Sequence, residues 1–236
     1  VRAATCLAAR PRSLPPTERL HARPRAGGGS GPPVDVHHAR LDRAQPPVDL
    51  ATVLARATVV AIGPGLGTDV WGRGQLEAAL GSGLPLIVDA DALNLIAERP
   101  RASDHWVLTP HPGEAARLLG STGRAVQADR LAAARELQAR CGGHVVLKGA
   151  GSIVQSPGDL PRICDRGNPG MAAGGMGDVL TGVIAGIAAQ CGDLALAARA
   201  GVFAHAQAGD LAARRGERGL LASDLLDQLR SCVNPC

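Results

Sequence analysis

The sequence predicts an α/β fold: a mostly parallel central sheet with helices on both faces. Three observations predict it. Short apolar runs of strand length alternate with segments of helical period from residue 57 onward. Alternation of this kind builds parallel sheets covered by helices, whose strands are buried on both sides and read as continuous apolar runs. The polar and Gly-rich motifs fall where strand gives way to helix, the edge at which such sheets bind ligands.

The elements follow in order. Residues 57–62 (ATVVAI) form an apolar run ending in Gly-Pro-Gly, a buried strand, and a helical pattern covers 70–80. A second strand is expected over 84–90 (LPLIVDA), then a short helix over 92–98; a third strand over 106–109, then a helix over 113–119. Residues 126–141 read as one long amphipathic helix with Leu131, Ala134, Leu137 and Cys141 on one stripe, stopped by Gly142-Gly143. A fourth strand (HVVLKG, 144–149) precedes a hairpin of 153–155 and 162–164 joined by Ser-Pro-Gly-Asp. Helices over 175–189, 195–214 and 223–229 complete the chain. Residues 1–46 carry repeated Pro and a GGGSGPP stretch without period and read as an irregular segment, leaving 47–236 as the folded domain.

Composition narrows the function classes. The chain has 236 residues, 45% apolar and 19% charged, enough for one sizeable core. With one Phe, two Trp and no Tyr, it lacks stacking platforms for single-stranded nucleic acid. The net charge of +4 comes from arginines concentrated near the N-terminus, and no nucleic-acid-binding signature accompanies them, so no nucleic-acid partner is expected. The six cysteines form no CxxC pair, which points to reduced thiols and a cytoplasmic protein. No apolar run approaches the roughly 20 residues that span a bilayer, so no membrane partner is expected.

Chemistry concentrates in five segments. In NPGMAAGGMGD (168–178), Gly174, Gly175 and Gly177 allow close backbone approach, and with Met176 they open a helix whose free N–H groups suit a phosphate. Asp178, in that first turn, can act as a base toward a hydroxyl that attacks a phosphoryl group; the competing reading is a capping carboxylate. The chain's single lysine, Lys148, opens the loop Lys148, Gly149, Ala150, Gly151, Ser152. It suits a nucleotide phosphate, or equally a solvated turn, and the order is not that of a Walker A loop. Gly63-Pro-Gly-Leu-Gly67 is a partial dinucleotide fingerprint, or a plain strand-to-helix turn. In TPHPGE (109–114), His111 is presented between two prolines, and Glu114 is either a site carboxylate or a helix cap. Asp89 and Asp91 follow a strand, where Asp91 serves as a cap or one of the pair orients water or Mg²⁺; Asn94 faces the same cleft. His205, on an Ala-rich helix, reads as a packed core residue.

The stretches VVAIGPGLGTD, PLIVDADALNLIAE, WVLTPHPGEAARLLG, VVLKGAGSIV, GNPGMAAGGMGDVLTGVIA and ERGLLASDLL, in this order over roughly residues 48 to 234, resemble the ADP/ATP-dependent NAD(P)H-hydrate dehydratases, of the ribokinase-like superfamily. The NPGMAxGGMGDVLxG pattern distinguishes that family from its sugar-kinase relatives. The resemblance implies a ribokinase-like fold and a hydro-lyase acting in metabolite repair. Such an enzyme phosphorylates the hydroxyl of the (S) form of 6-hydrated NADH or NADPH and expels phosphate, giving NAD(P)H, AMP and phosphate when ADP is the co-substrate. Bacterial members use ADP and eukaryotic ones ATP, here with Mg²⁺. By position, Asp178 is implied as the base. Gly67, His111, Glu114 and Asp178 are implied to contact the hydrate, and Gly174, Gly175, Met176 and Gly177 to form the anion hole. Lys148, Gly149, Ala150, Gly151, Ser152 and Gly177 would hold the nucleotide. A homotetramer and functional pairing with an NAD(P)H-hydrate epimerase are implied as well.

Family members begin this domain with a strand and a Gly- and Ala-rich helix that residues 1–46 do not show, and many carry an epimerase domain upstream. The resemblance therefore predicts a chain lacking its first strand-helix unit and the epimerase domain, with an incomplete hydrate pocket. Two other functions share the glycine loop and the aspartate. One is a ribokinase-like kinase of a small alcohol, such as a thiamin-precursor pyrimidine or thiazole. The other is an inactive, truncated domain that only binds nucleotide.

Overall fold

A computed structural model describes residues 2–6, 35–38 and 50–234. Eight strands form one sheet in the order β2-β1-β3-β4-β5-β6-β7-β8. They are β1 (Arg2–Cys6), β2 (Asp35–His38), β3 (Val59–Ile62), β4 (Leu86–Val88), β5 (Trp106–Leu108), β6 (His144–Leu147), β7 (Ile153–Gln155) and β8 (Arg162–Ile163). The first six in space run parallel, and β7 and β8 close the edge as the expected antiparallel hairpin.

Helices cover both faces, as the alternating pattern requires. Alternate strand residues point to opposite sides. Val59, Ala61, Ile87, Val107 and Val146 pack under Leu180, Ile184, Ala188 and Val202, from α7 (Met176–Cys191) and α8 (Leu194–Ala212). Val60, Ile62, Leu86, Val88, Trp106 and Leu108 face α2 (Val70–Gly81) and α3 (Ala90–Glu98) through Leu76, Leu93 and Ile96. Val145 and Leu147 meet α4 (Pro112–Leu119), α5 (Gly123–Ala128) and α6 (Arg130–Cys141). Burial on both faces is why β3, β4 and β5 contain no polar residue. The short helix α1 (Leu50–Leu54) precedes β3, and α9 (Ala222–Val233) packs on α8 through the fully buried Leu225.

Two expectations are corrected. Residues 1–46 are not irregular throughout: β1 and β2 lie within them, and β1 pairs in parallel with β3, Ala3 opposite Val59 through Cys6 opposite Ile62. Two strands therefore lie in the segment that the sequence leaves without a period. The sequence of β1, RAATC, is neither alternating nor continuously apolar, so only pairing with a distant strand reveals it. The long helix over 126–141 is in fact two helices broken at Asp129, whose side chain accepts from the Ala132 N–H at 2.9 Å and starts α6 afresh. Ala134, Leu137 and Cys141 keep to the buried stripe, but Leu131 is exposed. The boundary at 46/47 falls outside the described residues.

Candidate active site

The carboxyl ends of β3, β4, β5 and β6 deliver Gly63, Asp89, Thr109 and Lys148 to one edge of the sheet. Asp89 is 1% exposed. Its Oδ1 accepts from Lys148 Nζ at 2.5 Å and its Oδ2 from Thr181 Oγ1 at 2.9 Å. A buried carboxylate requires such partners. The backbone around it is tightly specified. Gly63 has φ +130°, and a Cβ there would lie 1.7 Å from the Asp89 carbonyl oxygen, so only glycine fits. Ala90, the next residue, has φ 48°, a conformation that costs a non-glycine residue about 1–2 kcal/mol. Strain is thus stored where the Asp89 carboxylate is aimed.

Lys148 also lies 3.8 Å from Glu114 Oε2, so one ammonium faces two buried carboxyl groups. Glu114 has a second task. Its Oε2 accepts from the His111 N–H at 2.7 Å, while His111 Nδ1 accepts from the N–H groups of Gly113 (2.9 Å) and Glu114 (3.4 Å). This reciprocal capping box fixes the start of α4. The TPHPGE segment is therefore a helix cap as well as a wall of the site.

Opposite stands the start of α7. Its N-cap, Gly175, is left-handed (φ 85°) and supplies no capping side chain, so the first-turn N–H groups are available to an anion. Gly177 faces the ion pair: a Cβ there would lie 3.3 Å from Lys148 Nζ and 3.4 Å from Asp89 Oδ2. Asp178 follows on the more open side of the helix. Partial loss of hydration and then the charge of Asp89 push its carboxyl above the ordinary aspartate value, with Lys148 opposing them. The loop ahead of α7 is anchored by Asp210, which accepts from Gly167 N–H and Asn168 Nδ2, both at 3.0 Å.

Between these elements lies a cavity of about 870 Å³, the size of a nucleotide site. Of the residues singled out in the sequence, His111, Lys148, Gly149, Ala150, Gly151, Ser152, Met176 and Gly177 line it. Gly67, Asp89, Asp91, Asn94, Glu114, Gly174, Gly175 and Asp178 do not. Gly67 is instead tied to α3, its N–H donating to Asp91 Oδ2 at 2.8 Å. Asn94 accepts from Arg117 Nη1 at 2.9 Å. His205 is 7% exposed, the packed residue its helix suggests, yet it also borders the cavity. Sequence reasoning passed over Thr181 as a partner of Asp89 and missed the cavity floor of Ile163, Cys164, Leu180, Val202 and Ala206. Thr181 follows Asp178 by three residues, one helical turn, and that spacing was the available signal.

Comparison with known proteins bears on the same residues. A family model described as NAD(P)H-hydrate dehydratase matches residues 31–231. The chain is 52% identical over 188 residues to the bifunctional NAD(P)H-hydrate repair enzyme Nnr of Coxiella burnetii, covering 79% of this chain and 38% of that protein. It thus spans about two-fifths of the length of the curated relatives it matches. The ADP/ATP-dependent NAD(P)H-hydrate dehydratase of Bacillus subtilis, co-crystallised with ATP/Mg²⁺, superposes with a TM-score of 0.68 at 32% identity, covering 74% of this chain and 63% of that one. A ribokinase-like superfamily protein of Enterococcus faecalis gives 0.69 at 30% identity over 79% and 67% of the two chains. The strand-end motifs, the glycine-opened α7 and strands β2 to β8 all lie within the matched span, and the chain belongs to the NAD(P)H-hydrate dehydratase family.

Proposed function

We propose that this chain is a hydro-lyase that dehydrates the (S) form of 6-hydrated NADH or NADPH at the expense of ADP, giving NAD(P)H, AMP and phosphate. The observation that carries the reading is the meeting of the Lys148 loop and the uncapped start of α7 at one nucleotide-sized cavity, with Lys148 held by the buried Asp89. Lys148 to Ser152 and Gly177 hold the nucleotide there, and Gly174 to Gly177 receive the phosphoryl group at the helix start. Asp178 takes the proton of the substrate hydroxyl as that oxygen attacks the terminal phosphorus and AMP departs. Phosphorylation converts a poor leaving group into a good one. The ring-nitrogen lone pair then expels phosphate, and loss of the neighbouring carbon's proton restores the ring double bond. Gly67 and His111 flank the hydrate, with Glu114 holding His111 in place.

The protein mainly supplies alignment and fixed dipoles. Among the described residues no group of three or more His, Cys, Asp or Glu is arranged to hold a metal ion. Magnesium fits here as an ion bound chiefly through nucleotide phosphates, with Asp89 and Glu114 as the nearby carboxyl groups and charge neutralisation as its contribution. The reading extends to the (S) form being supplied by an epimerase, to a homotetramer, and to action in the cytoplasm; among the described residues no helix is long and apolar enough to cross a membrane.

Incubation of the purified chain with NADH hydrate and ADP tests the proposal. The expected outcome is recovery of dihydronicotinamide absorbance with equimolar AMP and phosphate. A stable phosphate ester of a small alcohol would instead identify a kinase. Stabilisation by ADP with no turnover would leave only a binding domain.

A further inference from the structure

Arg130 opens α6, directly after its N-cap Asp129. That is a poor place for a cation, because a helix N-terminus is the positive end of the macrodipole. The side chain also bears local costs. Partial burial draws its pKa below the ordinary arginine value, and its buried Nε has no hydrogen-bond partner. These costs are set against what the guanidinium touches.

Nη1 donates to the Ala150 carbonyl at 2.5 Å. Nη2 donates to the carbonyls of Leu147 and Lys148 at 3.3 and 3.4 Å. The Gly149 carbonyl accepts from Ser152 Oγ at 3.2 Å. Every carbonyl from 147 to 150 is therefore satisfied inside the protein, three of them by one cation. The contact is close: Gly149 has φ +146°, and a Cβ there would lie 2.9 Å from Nη2. All five residues of the Lys148–Ser152 loop line the cavity, whereas Arg130 does not.

A loop that receives phosphate must present N–H donors, so its carbonyl dipoles must be turned aside and satisfied elsewhere. We propose that Arg130 is the positioning residue of this loop: its guanidinium fork gathers the carbonyls behind the loop and leaves the amides of residues 149–152 for a nucleoside di- or triphosphate, the Lys148 N–H being held by the Pro110 carbonyl at 2.8 Å. Arg130 itself touches no nucleotide. A planar fork can bridge carbonyls on both sides of a turn, whereas the point charge of a lysine cannot. The proposal rests on reading the cavity as a nucleotide site.

Calorimetric titration of ADP into the wild-type chain and into Arg130→Lys and Arg130→Met, with steady-state kinetics and amide hydrogen exchange, tests it. Arg130→Lys keeps the charge and loses the fork. Both variants are expected to weaken ADP binding and raise the KM for ADP by about tenfold or more, with a smaller effect on kcat, no change in KM for the hydrate and faster exchange confined to the loop. Equal ADP affinity in the wild type and Arg130→Lys would overturn the proposal. So would a loss of affinity that accompanies a general fall in melting temperature and exchange protection in both variants. Calorimetry needs no turnover: a wild-type chain that binds ADP but does not dehydrate overturns only the reaction, whereas one that binds neither ADP nor ATP overturns both readings.

Discussion

Asp178 and Asp89 are both carboxyl groups at the mouths of strands or helices, yet their surroundings divide their tasks. Asp89 is sealed in and saturated by Lys148 and Thr181, so it acts as an anchor. Among the described residues Asp178 has no such hydrogen-bond partner; it stands partly open, and its carboxyl is pushed above the ordinary aspartate value, first by desolvation and then by Asp89. A raised pKa brings a carboxylate nearer the basicity that proton abstraction needs. Asp178→Asn is therefore expected to lose most of its turnover, by about 100-fold or more, while ADP binding measured by calorimetry is retained. Near-normal rates would remove the base assignment. In the wild-type protein, kcat/KM should fall on the acid side with a midpoint above 3.8, the unshifted value, because Asp178 as the proposed base works only when deprotonated. An acid limb below that value would place the titrating group elsewhere.

At the scale of the element, the pairing of α7 with α8 decides where the site's helix starts. A Cβ on Gly201 would lie 2.6 Å from Ile184 Cγ1, and Ile184 is fully buried. Glycine allows the two helices to approach this closely. Gly201→Val is expected to cost about 1–3 kcal/mol of stability, read as a lower denaturant midpoint with an unchanged slope. An unaffected midpoint would mean that the helix pair can spread at no cost. The same helix carries His205. Burial chiefly, with Lys148 adding to it, lowers its pKa to about 4, and the backbone of Met176 opposes the shift. The unfolded chain binds this proton near 6.5, the folded one only near 4, so stability is complete above 6.5 and declines as pH falls from 6.5 to 4. The decline amounts to about 3 kcal/mol. His205→Leu should flatten the dependence of melting temperature on pH across that window; an unaltered slope would assign it to other groups.

At the scale of the molecule, the N-terminal strands matter most. β3 is buried on both faces and lies between β1 and β4. Removing residues 1–46 strips β1 from it and exposes a flat apolar edge of Val59 to Ile62, the kind of edge that pairs with other chains. A chain of 47–236 is therefore expected to melt at lower temperature and to aggregate, as measured by thermal denaturation and light scattering. If it were as stable and monodisperse as the whole chain, β1 and β2 would be dispensable and the boundary at residue 46 would stand.

How much of this was legible in advance follows from the range of the forces involved. Strands β3 to β8 and most of the helices around them could be read because each carries its own local signal, such as apolar runs broken by Gly or Pro. The glycine-rich start of α7 was legible for the same reason, since only glycine serves at its left-handed N-cap. What tertiary structure alone decided is long-range. Strand β1 is a strand because β3 accepts it as a neighbour. The helix break at Asp129 carries Arg130 to a loop about 20 residues further along the chain, and Asp89 finds Lys148 and Thr181 at separations of 59 and 92 residues. No periodicity encodes such meetings, because they depend on the order in which a sheet sets its strands side by side.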